Sequence, residues 1–233
     1  MKWAAAILLV LGFVFSGVAQ AQTISPVIVE YKEKARGKFE VYNDAVVPLN
    51  VVLEPRSFTV DEKGNPFFRP LDAGVNVKLS AMSFRLAPRQ RYTVFYEITA
   101  ESLPAWLTIY AMVTGATTPE GIKLVIELPH TVYVLPTKPL AEDSVHFLRA
   151  FASADSKTIE AEIENRGAEF DRVMEVEVSS ASGKKTFPGF PLFPGQKRIL
   201  QLPWDGNEAP TKLVLKFAKF RVEEPVRTAV QTP

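Results

Sequence analysis

The chain has no cysteine among its 233 residues. No disulfide can staple it, and thiol catalysis and cysteine-ligated metal centres are excluded. Histidine is scarce too, with His130 and His146 the only two. A metal site or a His-based catalytic centre normally needs more partners, and both residues read as polar positions in strand-like sequence. No G-x-S-x-G, H-E-x-x-H or phosphate-loop pattern occurs. Charge of either sign is not in excess: 27 Lys and Arg balance 26 Asp and Glu, for a formal net charge of +1. That balance gives no reason to expect a nucleic-acid partner. A 3.6-residue apolar period is missing outside the N-terminal segment. Carboxylates are frequent, but Glu160, Glu162 and Glu164, like Glu175 and Glu177, recur at period two. That spacing describes a solvated sheet face, not an acid pair. An enzyme is therefore the least supported reading, and no cofactor is expected.

What is present is apolar mass, 47% of the chain, cut into short strands by turn signals. Residues 1–21 read as a cleavable secretory signal: Lys2, an apolar run from Ala4 to Phe15 too short for a comfortable membrane span, then Ala19-Gln20-Ala21. The expected destination is the periplasm, without stable membrane insertion. Lacking disulfides there, each domain must rest on its own hydrophobic core. Alternating strands are expected at Pro26–Tyr31, Lys38–Tyr42, Pro48–Glu54 (closed by Pro55), Val75–Leu79, Ser83–Leu86, Arg91–Thr99 and Ala105–Val113. Residues 61–74 are expected to be a long loop or a poorly paired edge segment. Trp106, Phe95 and Tyr110 are placed in or near a core.

Residues 137–145 read as a linker, after which the pattern restarts. Strands are expected at His146–Phe151, Lys157–Glu164, Val173–Ser179, Lys197–Leu202 and Lys212–Val222. I-E-A-E-I-E-N at 159–165 echoes K-F-E-V-Y-N at 38–43, a weak internal repeat. F-P-G-F-P-L-F-P-G at 187–195 is expected to be irregular, with Phe187, Phe190 and Phe193 either covering the second core or forming a binding patch. The implied organisation is all-β: an immunoglobulin-like sandwich at 22–136, a second at 146–225, and a frayed tail at 226–233.

One stretch stands apart, I-K-L-V-I-E-L-P-H-T-V-Y-V-L-P at 122–136. Ile122, Leu124, Ile126, Leu128, Val132 and Val134 share one parity, and Lys123, Glu127 and Thr131 the other. Pro129 removes a backbone donor, which suits a sheet edge or a bend. An edge strand with an apolar row invites pairing by another chain. It is either a hazard or the working part.

The chain resembles the periplasmic chaperones that assemble bacterial pili. F-R-L-A-P-R-Q-R-Y-T-V-F-Y at 84–96 is similar to that family's proline-and-glutamine turn before an apolar strand. E-S-L-P-A-W-L-T-I at 101–109 is similar to its E-S-L-x-x-W-L-N segment, and 187–195 to the apolar loop of its second domain. The resemblance implies two immunoglobulin-like sandwiches and a strand at 122–136 lent to a pilin-like subunit, with Ile122, Leu124 and Ile126 as the inserted side chains. It also implies an outer-membrane usher as a further partner. The family's carboxylate anchor, an Arg on the first strand and a Lys on the donor strand, falls here near Val27 or Ile28 and on Thr131, none of them cationic. Lys32, Arg36 and Lys123 are the candidate substitutes. Two other readings stay open: a structural or adhesive envelope protein whose 122–128 row is sealed in its own sandwich, and a small-ligand binder using an interdomain cleft near Tyr133.

Overall fold

The computed structural model describes residues 22–117, 121–153, 155 and 157–228. The signal segment expected at 1–21 lies outside the described residues. The first half of the chain contributes β1 (Thr23–Ser25), β2 (Ile28–Lys32), β3 (Ala35–Tyr42), β4 (Leu49–Val60), β5 (Pro66–Pro70), β6 (Val75–Leu79), β7 (Ser83–Leu86), β8 (Arg91–Ala100), β9 (Ala105–Thr117) and β10 (Lys123–Leu135). They form two sheets, ordered β1-β3-β8-β6 and β2-β10-β9-β4-β5, with β7 also on β4. Phe39, Val94 and Ile98 of the first sheet meet Leu53, Leu107, Ile109 and Val132 of the second in one buried cluster. The second half contributes β11 (Val145–Ala152), β12 (Thr158–Asn165), β13 (Asp171–Ser179), β14 (Lys184–Leu192), β15 (Lys197–Pro203), β16 (Lys212–Lys216), β17 (Arg221–Pro225) and β18 (Arg227–Thr228). Its sheets run β15-β12-β11-β18 and β14-β13-β16-β17, closed over Ile159, Ile163, Leu192, Leu213 and Leu215. The fold is two β-sandwiches, each with its own core.

Proline does not break these strands where the sequence says it should. The strand expected to stop at Pro55 continues to Val60 as β4. Leu53 donates its N–H to Met82 O at 2.8 Å, so the odd-numbered donors of β4 point away from β9. On that side β7 pairs with Leu49–Val52 and β5 with Arg56–Val60. Pro55 falls in the gap between them, where no partner needs a donor. The 187–195 segment, expected to be irregular, is mostly the edge strand β14, paired with β13 from Asp171↔Leu192 to Ser179↔Lys184. A Cβ on Gly189 would lie 1.8 Å from Val173 O, so glycine is what lets the two backbones meet. Phe190 is buried in the second core and Phe187 packs against it.

The strand expected at Pro26–Tyr31 is β2, and a further short strand, β1, precedes it in the other sheet. Two further expectations are corrected. The single strand at 212–222 is the hairpin β16–β17, turned at Phe217–Phe220, whose rings stack at 4.4 Å. Phe95 is on the surface, 59% exposed, whereas Tyr110 is buried. Within the tail, Arg227 and Thr228 pair with Phe151 and Ala152.

The weak repeat is a close structural one. Asn43 and Asn165 are both fully buried. Asn43 accepts the Ala45 N–H and donates to Val47 O and Ala87 O. Asn165 accepts the Gly167 N–H and donates to Glu169 O and Phe193 O. Each asparagine thus ties a strand end to a turn, Ala87-Pro88-Arg89-Gln90 or Phe193-Pro194-Gly195-Gln196. In both turns the glutamine side chain accepts the N–H of the first residue, and the third residue has positive φ, 60° at Arg89 and 64° at Gly195.

The sandwiches share an aromatic seam. Phe58, Tyr133, Phe170 and Phe193 are buried together, with Trp106 against them. Phe193 lies 4.7 Å from the Trp106 ring and 5.3 Å from Phe170. The Trp106 indole donates to Phe58 O at 2.7 Å. Beside the seam Arg172 donates twice to Glu30, at 2.9 and 3.1 Å. The β4–β5 turn touches the second sandwich through Ile199 N–H to Glu62 O at 2.7 Å.

Candidate functional site

β10 is the longest run of alternating sequence in the chain, and its two halves have different surroundings. From Thr131 to Leu135 it is an interior strand, paired with β2 in parallel and with β9 antiparallel. From Lys123 to His130 only β9 pairs with it among the described residues. Thr131 donates to Val27 O at 2.7 Å, so the odd-numbered N–H groups of β10 point away from β9. Pro129 is odd-numbered. Its missing donor therefore faces the open side, and the ladder with β9 loses nothing. The backbone donors and acceptors of Val125 and Glu127 face the same open side. They form a short, unpaired sheet edge bounded by Pro129.

The even-numbered side chains face the interior of the sandwich. Val132 and Val134 are in the core, and Ile126 and Leu128 pack against it in part. Towards the strand start the sandwich opens: Ile122 is 61% and Leu124 38% exposed. Gly115, at φ +104°, sits where the pairing shifts between Lys123↔Thr117 and Val125↔Thr114. The irregularity is on β9, so β10 keeps its alternation. Val125, on the outer face, is 62% exposed. Sequence reasoning passed over it, although the unbroken triplet Leu124-Val125-Ile126 was the signal: three apolar residues in a row put one on the outer face.

His130, expected to be a polar strand residue, is fully buried in the first core. Its Nδ1 lies 2.6 Å from Pro26 O, and its Nε2 3.1 Å from the Tyr96 hydroxyl. A carbonyl can only accept, so Nδ1 carries the proton and Nε2 accepts from Tyr96. The Tyr96 oxygen in turn accepts from Tyr31 at 3.0 Å. Burial lowers the His130 pKa and raises that of Tyr96, so both stay neutral. Gly37 gives the chain room, since a Cβ there would lie 2.1 Å from the Tyr31 oxygen. These groups fasten β10 to the β1–β2 turn and to the opposite sheet. They position the strand and offer no acid or base to solvent.

The candidate cations are not gathered. Lys32 ends β2 and donates to Pro136 O at 3.3 Å. Arg36 is on the opposite sheet, paired with Glu97 at 3.4 Å. Lys123 opens β10, 12 residues from Leu135, the register partner of Lys32, or about 40 Å along an extended strand. The two positions that the resemblance assigns to the anchor are register partners here, Thr131↔Ile28. Thr131 shares a hydrogen bond with Thr108 at 3.0 Å, and Val27 and Ile28 are exposed. None of these side chains carries a charge.

A cleft of about 380 Å³ between the sandwiches is lined by Glu30, Lys32, Thr137, Phe170, Asp171 and Lys219 among others. Tyr133 does not line it. Its ring is buried and stacks on Phe170 at 5.0 Å, so the aromatic that a small-ligand site was expected to use is engaged in the seam. No group of three or more His, Asp or Glu that could hold a metal occurs among the described residues.

No family model and no curated protein matches this sequence. Solved structures do. A crystal structure of the class 5 fimbriae chaperone CfaA aligns with a TM-score of 0.55 at 12% identity, over 88% of this chain and 99% of that one. The YadV chaperone aligns at 0.54 and 11% identity, over 88% and 98%. The Salmonella enterica SafB chaperone, solved with the SafA pilin, gives 0.53 and 13%, over 88% and 96%. The chain has the fold of the fimbrial chaperones. Both sandwiches and their order are included, since the alignments span nearly all of each chaperone.

Proposed function

We propose that the protein is a periplasmic chaperone for pilus, fimbrial or related secreted subunits, capping them by strand addition at β10. The observation that carries this reading is the unpaired edge at Lys123–Pro129 with Leu124 exposed beside it, on the fold of the fimbrial chaperones. An open edge supplies backbone hydrogen bonds, and its side-chain row supplies selectivity. Burying side chains such as Ile122, Leu124 and Ile126 in a subunit's groove contributes roughly 1.5–3 kcal/mol each before ordering costs. SafB is solved with a pilin, which supports a pilin-like subunit as the partner. An outer-membrane usher is the expected recipient of the capped subunit. Because the anchor positions carry no charge, capture relies on the backbone and the apolar row, with Lys123 flanking the edge and Lys32 and Arg36 away from it.

The test is co-purification of a pilin-like subunit co-expressed from the same genome. Leu124→Asp with Ile126→Asp is expected to abolish capture while far-UV circular dichroism still shows the sheet. Undiminished capture would overturn the reading. Ile126 and Leu128 pack partly on their own core, which is what the envelope-protein reading asks of the whole row. Hydrogen exchange separates the two. Fast exchange at Val125 and Glu127 in the free protein, slowed by a subunit, supports the chaperone. Slow exchange in the free protein supports the envelope module.

A further inference from the structure

The open edge of β10 carries a charge at each end and apolar residues between. β2 occupies the edge from Thr131↔Ile28 onward, and Pro129 removes the last outward donor before it. That leaves Lys123, Val125 and Glu127 with both backbone groups turned outward. Their side chains share the outer face of the sheet, and all three are exposed. Lys123 and Glu127 stand about 13 Å apart along an extended strand, too far to pair with each other. Within the sandwich, Glu127 has the uncharged Met112 as its register partner on β9. Arg56 lies 3.7 Å from Glu127 but is held closer by Glu54, at 2.7 Å. The edge therefore offers a cation and an anion, one at either end of the Leu124-Val125-Ile126 triplet.

From this we infer that the edge selects its client by charge. It takes a subunit strand with an acidic residue opposite Lys123, a basic residue opposite Glu127 and apolar residues opposite Leu124, Val125 and Ile126. Residues directly opposed in paired strands share a face, where opposite charges stabilise the pair and like charges destabilise it. A strand with the same charge at both flanks matches one end and is repelled at the other. An uncharged strand gains at neither. Only the mixed pattern satisfies both ends, and repulsion of the others is what makes the choice selective. Lys123 and Glu127 are thus the specificity-determining residues, while the apolar triplet between them supplies affinity without regard to charge. The order of the charges also fixes direction. A client whose acidic residue comes first runs parallel to β10, as β2 does. One whose basic residue comes first runs antiparallel.

The inference deepens the proposed subunit-capping role and rests on it. Fluorescence anisotropy with labelled peptides on the exported chain provides the test. The probes are Glu-Leu-Val-Leu-Lys, Lys-Leu-Val-Leu-Glu, Glu-Leu-Val-Leu-Glu and Lys-Leu-Val-Leu-Lys, each between threonines and blocked at both termini. Wild type is expected to bind the better of the two mixed peptides about fivefold more tightly than either same-charge peptide. High salt should erase the difference. Lys123→Glu leaves the edge acidic at both ends and should redirect preference to the lysine-flanked peptide. Glu127→Lys should redirect it to the glutamate-flanked one. Lys123→Gln with Glu127→Gln should abolish preference without reversing it. Thermal melts establish that each variant is folded. A wild type without charge preference overturns the inference, as do variants that keep the wild-type ranking and peptides that all fail to bind. Subunit co-purification is scored on the same proteins. Capture without charge preference refutes the inference and leaves the chaperone reading standing. Charge preference without capture does the reverse.

Discussion

Two buried asparagines hold the ends of equivalent strands, and each bonds backbone groups of the turns beside it. Replacing Asn43 by Ala strands the Val47 carbonyl and the Ala45 N–H, while the Ala87 carbonyl keeps the Gln90 N–H. With each orphaned buried group costing roughly 1–3 kcal/mol, a loss of about 3 kcal/mol is expected, and the same at Asn165. Asn43→Asp keeps the shape but turns a donor into an acceptor facing carbonyls. It is expected to cost at least as much by urea denaturation. His130 makes a pH prediction of definite sign. Its folded pKa is lowered by burial, so the unfolded chain protonates first as pH falls below about 6.5. Stability therefore drops from there downward until the folded pKa is reached, and well above the unfolded pKa His130 adds no pH dependence. His130→Gln, which keeps a donor for Pro26 and an acceptor for Tyr96, should remove this component from the pH dependence of the urea midpoint. The parity of β10 puts His130 on the apolar face between Leu128 and Val132, a signal the sequence reading passed over. Its two partners come from segments distant in the chain, and those were not legible.

At the scale of elements, alternation was readable, and so was Pro129, but Pro55 and the prolines of 187–195 were not. The strands at 75–79, 83–86 and 197–202 fall where period-two patterning puts them, because one buried face enforces that period. The same patterning set the parity of β10, from Ile126 through Val134. Pro55 misled because a proline's effect depends on whether its missing donor faces a partner, which is a property of the neighbouring strands. Pro55 faces a gap and Pro129 an open edge. Glycine was similarly opaque. Gly189→Ala drives a methyl into the backbone of β13, with Met174 C 2.6 Å away as well as Val173 O. Backbone cannot swing aside as a side chain can, so at least about 3 kcal/mol is expected, with faster hydrogen exchange along β13 and β14. Gly183→Ala is the control. A Cβ there meets nothing within 4 Å, and the thermal midpoint should hardly move.

For the whole molecule, the question is whether two sandwiches behave as one body. Each has a sealed core of its own, so each can in principle melt alone. What joins them includes the Glu30–Arg172 pair, the β4–β5 turn, Phe170 stacked on Tyr133, and above all Phe193, projected from the second sandwich's turn onto Trp106 and Phe58 of the first. The ion pair is partly exposed, with side chains 26% and 39% accessible, and is worth at most about 1 kcal/mol. Phe193 is buried among aromatics, and its truncation costs the transfer of a ring plus the cavity left behind, roughly 3–5 kcal/mol. Its backbone N–H and carbonyl keep their bonds to Gln196 and Asn165 in the alanine variant, so the second core is not directly disturbed. Phe193→Ala is therefore expected to split a single calorimetric unfolding transition into two, each sandwich melting near its own midpoint, and to open the 137–145 segment to limited proteolysis. Arg172→Ala should shift the transition by a degree or a few without dividing it. The aromatic cluster contains part of β10 itself, at Tyr133 and Leu135. Whatever pairs with the free half of that strand does so on an element whose other half is clamped between the sandwiches. Loss of Phe193 should on this account weaken partner binding even though Phe193 lies away from the edge, a coupling that titration of the Phe193→Ala variant against wild type would measure directly.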